Sequence, residues 1–208
     1  MSQLISFNGL LPTKEIAHFV AAVPYDVVNS EEAAELAKGN PLSFLRVSRP
    51  EIEMPSGTDI HDESVYKKAS ENFKRLIESA PLQRDPEKNV YIYSLTMGNH
   101  TQTGIAACFS TKEYEENIIK KHEKTRKDKE DDRTKHILAT RSHSGPVFLT
   151  YRDTSHKEIA GLVEKIMVSS HVMFDFVAPD GIRHRLWKAG AANTEKLTNL
   201  FKYVPSLY

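Results

Sequence analysis

Apolar positions recur at two different spacings along this chain, and each spacing predicts an element. The clearest run covers residues 62–79, where Val65, Ala69, Phe73, Leu76 and Ile77 return every three or four positions, the period of a helix buried on one face. Ser30 ahead of residues 31–38, with acids in the first turn and Gly39 just past the end, predicts a shorter helix. Ser110 with Glu113 has the spacing of a capping box. Further helices are expected over 156–168 and from Asn193 or Thr194 to Lys202.

Short apolar runs at 4–7, 17–23, 42–47 and 147–151 read as strands. Residues 90–96 and 103–110 form a predicted hairpin across Met97-Gly98-Asn99-His100, and Asp180-Gly181 predicts a second tight turn between 172–177 and 182–187. His184 and Trp187 then point to opposite faces, with Trp187 in the core. The last residues, 204–208, resemble a strand that has only begun, which leads us to expect a chain that continues in the full protein. The pattern as a whole predicts an α+β (mixed α/β) class: a mixed sheet with β-hairpins and packed helices, part of a larger fold. One domain spans 1–208, with a sub-boundary near 111–145.

Composition narrows the classes. Hydrophobic residues at 39% and charged residues at 27% are ordinary for a globular chain of 208 residues. Lys plus Arg equals Asp plus Glu at 28 each, so general coating of nucleic acid, which needs a basic excess, is not expected. A local basic patch is still allowed. Cys108 is the only cysteine, so no internal disulfide forms; its apolar neighbourhood, 104–109, predicts a buried, inert thiol. The opening residues lack a secretory signal. No apolar run approaches the roughly 20 residues that cross a bilayer. A cytoplasmic protein without a membrane partner is therefore expected.

Residues 120–136 carry the candidate chemistry. The segment has no apolar residue, and its eight Lys/Arg face five Asp/Glu. On a helix, His122, Arg126, Lys129, Arg133 and His136 share one face, because the spacing is four, three, four and three. Such a face could grip a phosphate or carboxylate with forked guanidinium groups and exchange protons through a histidine. The same pattern also suits a solvated helix laced with ion pairs. His122-Glu123 begins like a zinc motif, but Arg126 stands where the second histidine is required. His122, Glu123, Asp132 and His136 could meet a metal only if the segment folds back. His61-Asp62-Glu63 reads as a helix start. Asp26, after Pro24-Tyr25, sits at a rigid turn where a ligand-binding acid is often found.

Four blocks resemble a known family. Pro24-Tyr25-Asp26-Val27-Val28, the Arg46 to Glu51 region following Asn40-Pro41, the pattern from His122 to His136, and Gly145-Pro146-Val147-Phe148 are similar to signatures of the bacterial domain-of-unknown-function family 1015. The resemblance spans nearly the whole chain. It implies a longer protein, with an Asp-Gly-His-His-Arg motif just beyond this chain's end, similar to the element that handles nucleotide phosphates in free-serine kinases of the ParB/sulfiredoxin superfamily. It also implies site roles for Arg126, Lys129, Arg133 and His136. Arg46 and Arg49, read as one side of an extended strand, and His122 join them as anion contacts.

Three functions follow as expectations. The first is a small-metabolite phosphotransferase that depends on a nucleotide or pyrophosphate; the sequence leaves its cofactor open, with Mg²⁺ as one candidate. Arg126, Lys129 and Arg133 would neutralise phosphate, Asp26 or Glu130 would act as base, and His136 would join the catalytic group; this chain alone would be inactive. The second is a ParB-like regulatory or nucleic-acid-binding module without catalysis. The third is a structural or interaction domain.

Overall fold

The computed structural model describes residues 2–80, 82–121, 124–152 and 157–208. In chain order the principal elements are α1 (Ala17–Val20), α2 (Ser30–Leu36), α3 (Leu45–Ser48), a 3-10 turn (Pro50–Glu53), α4 (Glu63–Ser79), β1 (Tyr91–Met97), β2 (His100–Ala106), α5 (Thr111–Glu115), α6 (Lys127–Thr140), α7 (Glu158–Ser169), β3 (Val172–Val177), β4 (Arg183–Lys188) and α8 (Ala191–Phe201). The class is α+β, as the pattern predicts. The chain forms two compact units. One comprises residues 1–14, 84–123 and 148–208; the other comprises 15–83 and 124–147.

The first unit is built on a sheet of order β2-β1-β4-β3, antiparallel throughout. Both predicted hairpins form. Met97 pairs with His100 around Gly98, whose φ of +55° suits glycine, and Ala178 donates to the Ile182 carbonyl at 2.9 Å around Gly181. Ile92 lies opposite Trp187, and both are buried with Val90, Ile159 and Ile166 of α7, and Leu197 and Phe201 of α8. The end of the chain docks rather than trails. Leu207 bridges Ile119 and Tyr151, and Val204 and Leu207 are buried in this same core.

The second unit is helical and organised around α4. The Asp62 carboxylate accepts from the Ser64 amide at 2.8 Å and opens the helix; Val65, Ala69, Asn72 and Leu76 form its buried stripe. Packed against it are α3, the 3-10 turn and α6. Val20, Val47, Leu76 and Ala80 make one apolar cluster, and Ala33, Ala37 and Leu45 a second.

Several expected elements differ. Residues 17–23 and 42–47 are not strands: the first contains the short helix α1 and the second runs into α3. Segments this short do not let period two and period 3.6 be told apart, and the packing around Phe44 and Val20 decides. Residues 4–7 make only isolated bridges, from Ile5 to Cys108 and from Phe7 to Asn89, and 147–151 contributes only Tyr151 to a bridge. The cap of α2 is Asn29, one residue earlier than expected, and α8 starts at Ala191 rather than at Asn193 or Thr194. Ser110 does cap α5, but Glu113 completes no box, because its carboxylate is buried and accepts from the Gln3 amide at 2.8 Å. The Cys108 thiol is exposed; it follows β2, an edge strand whose side chains are mostly exposed.

Candidate functional site

The charged stretch is helical only from Lys127. Arg126 is the N-cap residue, and Asp128 and Glu130 lie in the first turn, where carboxylates favour the helix dipole. The expected five-residue face is therefore shorter: Lys129, Arg133 and His136 share it, Arg126 stands outside the helix, and His122 and Glu123 lie outside the described residues. Asp132 joins that face, since positions 129, 132, 133 and 136 are three, four and seven apart.

These side chains line one small cleft of the second unit together with Arg49 and Glu51 from the turn after α3, His61 before α4, Tyr66 of α4, and Tyr25. The cleft holds about 40 Å³, room on the order of three water-sized groups. That suits the end of a ligand rather than an enclosed nucleotide, since whole-ligand pockets run to roughly 300 Å³ and more.

Asp132 is the hub. Its Oδ1 accepts from the Tyr66 hydroxyl at 2.9 Å, and its Oδ2 accepts from Arg133 Nε and Nη2 at 2.9 and 2.6 Å. His61 Nδ1 stands 3.4 Å from Oδ1. Burial works to raise the Asp132 pKa, but the hydrogen bonds from Arg133 and Tyr66 outweigh it and hold the carboxyl below its ordinary value. Burial and Asp132 together push the Tyr66 hydroxyl far above its usual range, so it remains a donor. The Arg133 guanidinium carbon lies over the Tyr25 ring, 3.9 Å from its centre. Two of its five N–H groups go to Asp132, which leaves three for a ligand.

The remaining predicted residues divide sharply. Arg49 lines the cleft. Its Nη2 donates to the Val28 carbonyl at 2.5 Å, Nη1 lies 3.4 Å from Glu51, and its buried Nε has no partner among the described residues. Lys129 also lines the cleft; it is exposed, and its ammonium has no partner among the described residues. His136 is 2% exposed, and its Nε2 donates to the Val47 carbonyl at 2.9 Å. Burial, only partly opposed by that carbonyl, pushes its pKa below the ordinary imidazole value.

Arg46 lies elsewhere. A three-residue offset from Arg49 is a same-face spacing on a helix and an opposite-face one on a strand, so the strand reading is corrected on both counts. Arg46 binds the Asn40 and Ala37 carbonyls and Glu53. Arg126 pairs with Asp128 at 2.6 Å and is mostly exposed. Asp26 and Glu130 are exposed and outside the cleft lining.

No metal cluster of three or more His, Cys, Asp or Glu occurs among the described residues. Asp132 has both oxygens engaged and His136 has Nε2 on Val47, so these two do not present a shared ligand set.

Over residues 4–208 the sequence matches the family described as Protein of unknown function (DUF1015). The chain belongs to this family. No curated protein and no solved structure matches it.

The periodicity found Lys129, Arg133 and His136 because they lie on one helix. It missed Tyr66 and His61 as site residues. His61 was hidden by its neighbours, since Asp62 does act as the cap of α4. Tyr66 sits beside the apolar stripe, and nothing local marks it as the partner of an acid 66 positions away. The spacing argument puts Asp132 off the basic face, as a neutralising neighbour or a prospective metal ligand, whereas it lines the cleft with Lys129, Arg133 and His136.

Proposed function

We propose that the cleft of the second unit binds the terminal phosphate or carboxylate of a small anionic metabolite in the cytosol, as the basic wall of a phosphotransferase site. The observation that carries this reading is the convergence of Arg49, Lys129 and Arg133 on a cleft the size of one such group, with the Lys129 ammonium and Arg49 Nε both lacking a partner among the described residues. Arg49 is held by the Val28 carbonyl and Arg133 by Asp132, and cations held in place before the ligand arrives stabilise phosphate charge without reorganising. Phosphoryl transfer depends largely on that and on positioning. The free-serine-kinase-like motif that the family resemblance implies is what favours the enzymatic reading; the size of the cleft favours contact with one end of the ligand.

Calorimetric titration with phosphate, pyrophosphate and ATP tests it. Lys129→Ala is expected to weaken binding about tenfold, the roughly 1.4 kcal/mol of one charge-assisted contact, with the thermal unfolding midpoint unchanged. Unchanged affinity in both Lys129→Ala and Arg133→Lys would sink the reading. Binding to DNA that falls steeply with salt, in place of small-anion binding, would favour the ParB-like module instead.

A further inference from the structure

We infer that the ligand of this cleft is a terminal phosphate monoester bound as its dianion together with one proton, and that His61 carries the proton. This rests on the anion-binding reading above and narrows it to one ligand class.

The charges set the requirement. Arg49, Lys129 and Arg133 bring three positive charges to the cleft, and Glu51 and Asp132 bring two negative ones. With His61 neutral the lining carries one surplus positive charge, which balances a carboxylate or a phosphodiester. A terminal phosphate carries about 1.5 to 2 negative charges near neutral pH. A dianion is matched only when one more cation forms.

His61 is the group placed to supply it. Its Nδ1 already faces Asp132 Oδ1 at 3.4 Å, and its side chain is about half exposed. An arriving dianion would add a second negative neighbour, and opposite charges nearby favour the protonated form. The surrounding groups leave little competition. Before and along α4, Asp59 accepts from the His61 backbone amide, Asp62 caps the helix, Glu63 pairs with Lys135, and Tyr66 keeps its proton on Asp132. From α6, Lys129 and Arg133 are fixed cations. From the turn after α3, Arg49 lies beside Glu51, which Ser30 holds at 2.8 Å. His136 is buried, its Nε2 bound to Val47, and the Arg133 charge opposes its protonation.

The test is calorimetric titration of the full chain at pH 7.5 with methyl phosphate and with acetate, each in two buffers of different ionisation enthalpy. Methyl phosphate is expected to bind with uptake approaching one proton per site, and acetate more weakly with none. In His61→Gln the uptake should vanish and methyl phosphate affinity should fall toward that of acetate. In the wild type, the His61 ring resonances should move to their charged-form positions when methyl phosphate is added. Proton uptake that persists in His61→Gln, or methyl phosphate binding to the wild type without uptake, overturns the assignment to His61 and leaves the anion site standing. Failure of both anions to bind the wild type overturns the anion site itself.

Discussion

His136 shows how position can separate one residue of a type from another. On the helical face of α6 it is as favourably spaced as Arg133, yet it faces the Val47 carbonyl and is sealed from water. Its depressed pKa makes a pH prediction. The unfolded chain takes up a proton at the ordinary histidine value, about 6.5, whereas the folded chain resists until lower pH. Stability rises with pH wherever the unfolded state binds more protons. The His136 contribution is therefore complete above about pH 6.5 and is lost as pH falls below it toward the folded pKa. Urea unfolding at pH 5.5 and 7.5 should show a smaller pH difference in His136→Gln, which keeps a donor for Val47, than in the wild type. An equal difference would show that other groups carry the acid sensitivity. Glu53 belongs to a lower window. Burial works to raise its pKa, but Arg46, Arg75 and Lys68 hold it below the ordinary carboxyl value, so its contribution disappears only in more acid solution.

At the scale of elements, capping determines where helices start, and neighbours compete for the role. Ser30 has the right chemistry to cap α2, but Asn29 performs it. The Asn29 side chain accepts from the Glu32 amide at 2.9 Å while Glu32 accepts from the Asn29 amide at 2.8 Å, and the Ser30 hydroxyl is committed to Glu51. Asn29→Ala should cost about 1 kcal/mol and Asn29→Gly only a few tenths, read as shifts in the urea midpoint. An Asn29→Ala variant as stable as the wild type would mean that water satisfies the helix end equally well. In α3, too short to be distinguished by period, Arg46 donates from its side chain to the Asn40 and Ala37 carbonyls, and its own carbonyl accepts from Asn72 at 2.6 Å. A residue that resembles an anion contact in sequence is thereby tied into the backbone of its own unit.

At the scale of the whole molecule, the sheet of the first unit buries one apolar cluster with α7 and α8. Trp187 is 4% exposed and packs with Ile92, Ile159 and Phe201. Trp187→Ala should cost about 3–5 kcal/mol, a large share of a total near 5–15 kcal/mol, and should lower the unfolding midpoint accordingly. A loss below about 1 kcal/mol would mean that the core closes over the gap. No helix among the described residues is long and apolar enough to cross a membrane.

The sequence alone determined what depends on local period and turn chemistry. The 17-residue helix α4, the two hairpins, the inward Trp187 and the shared face of Lys129, Arg133 and His136 all follow from spacings of two, three or four and from Gly98 and Gly181. Tertiary structure decided the rest. It made helices of 17–20 and 45–48, turned Arg46 into a structural tie, and brought Asp132 to Tyr66 and His61. The physical reason is that backbone geometry fixes which side a residue faces within a few positions. What it meets there is set by segments tens of residues away, whose arrival only packing and hydrogen-bond satisfaction select.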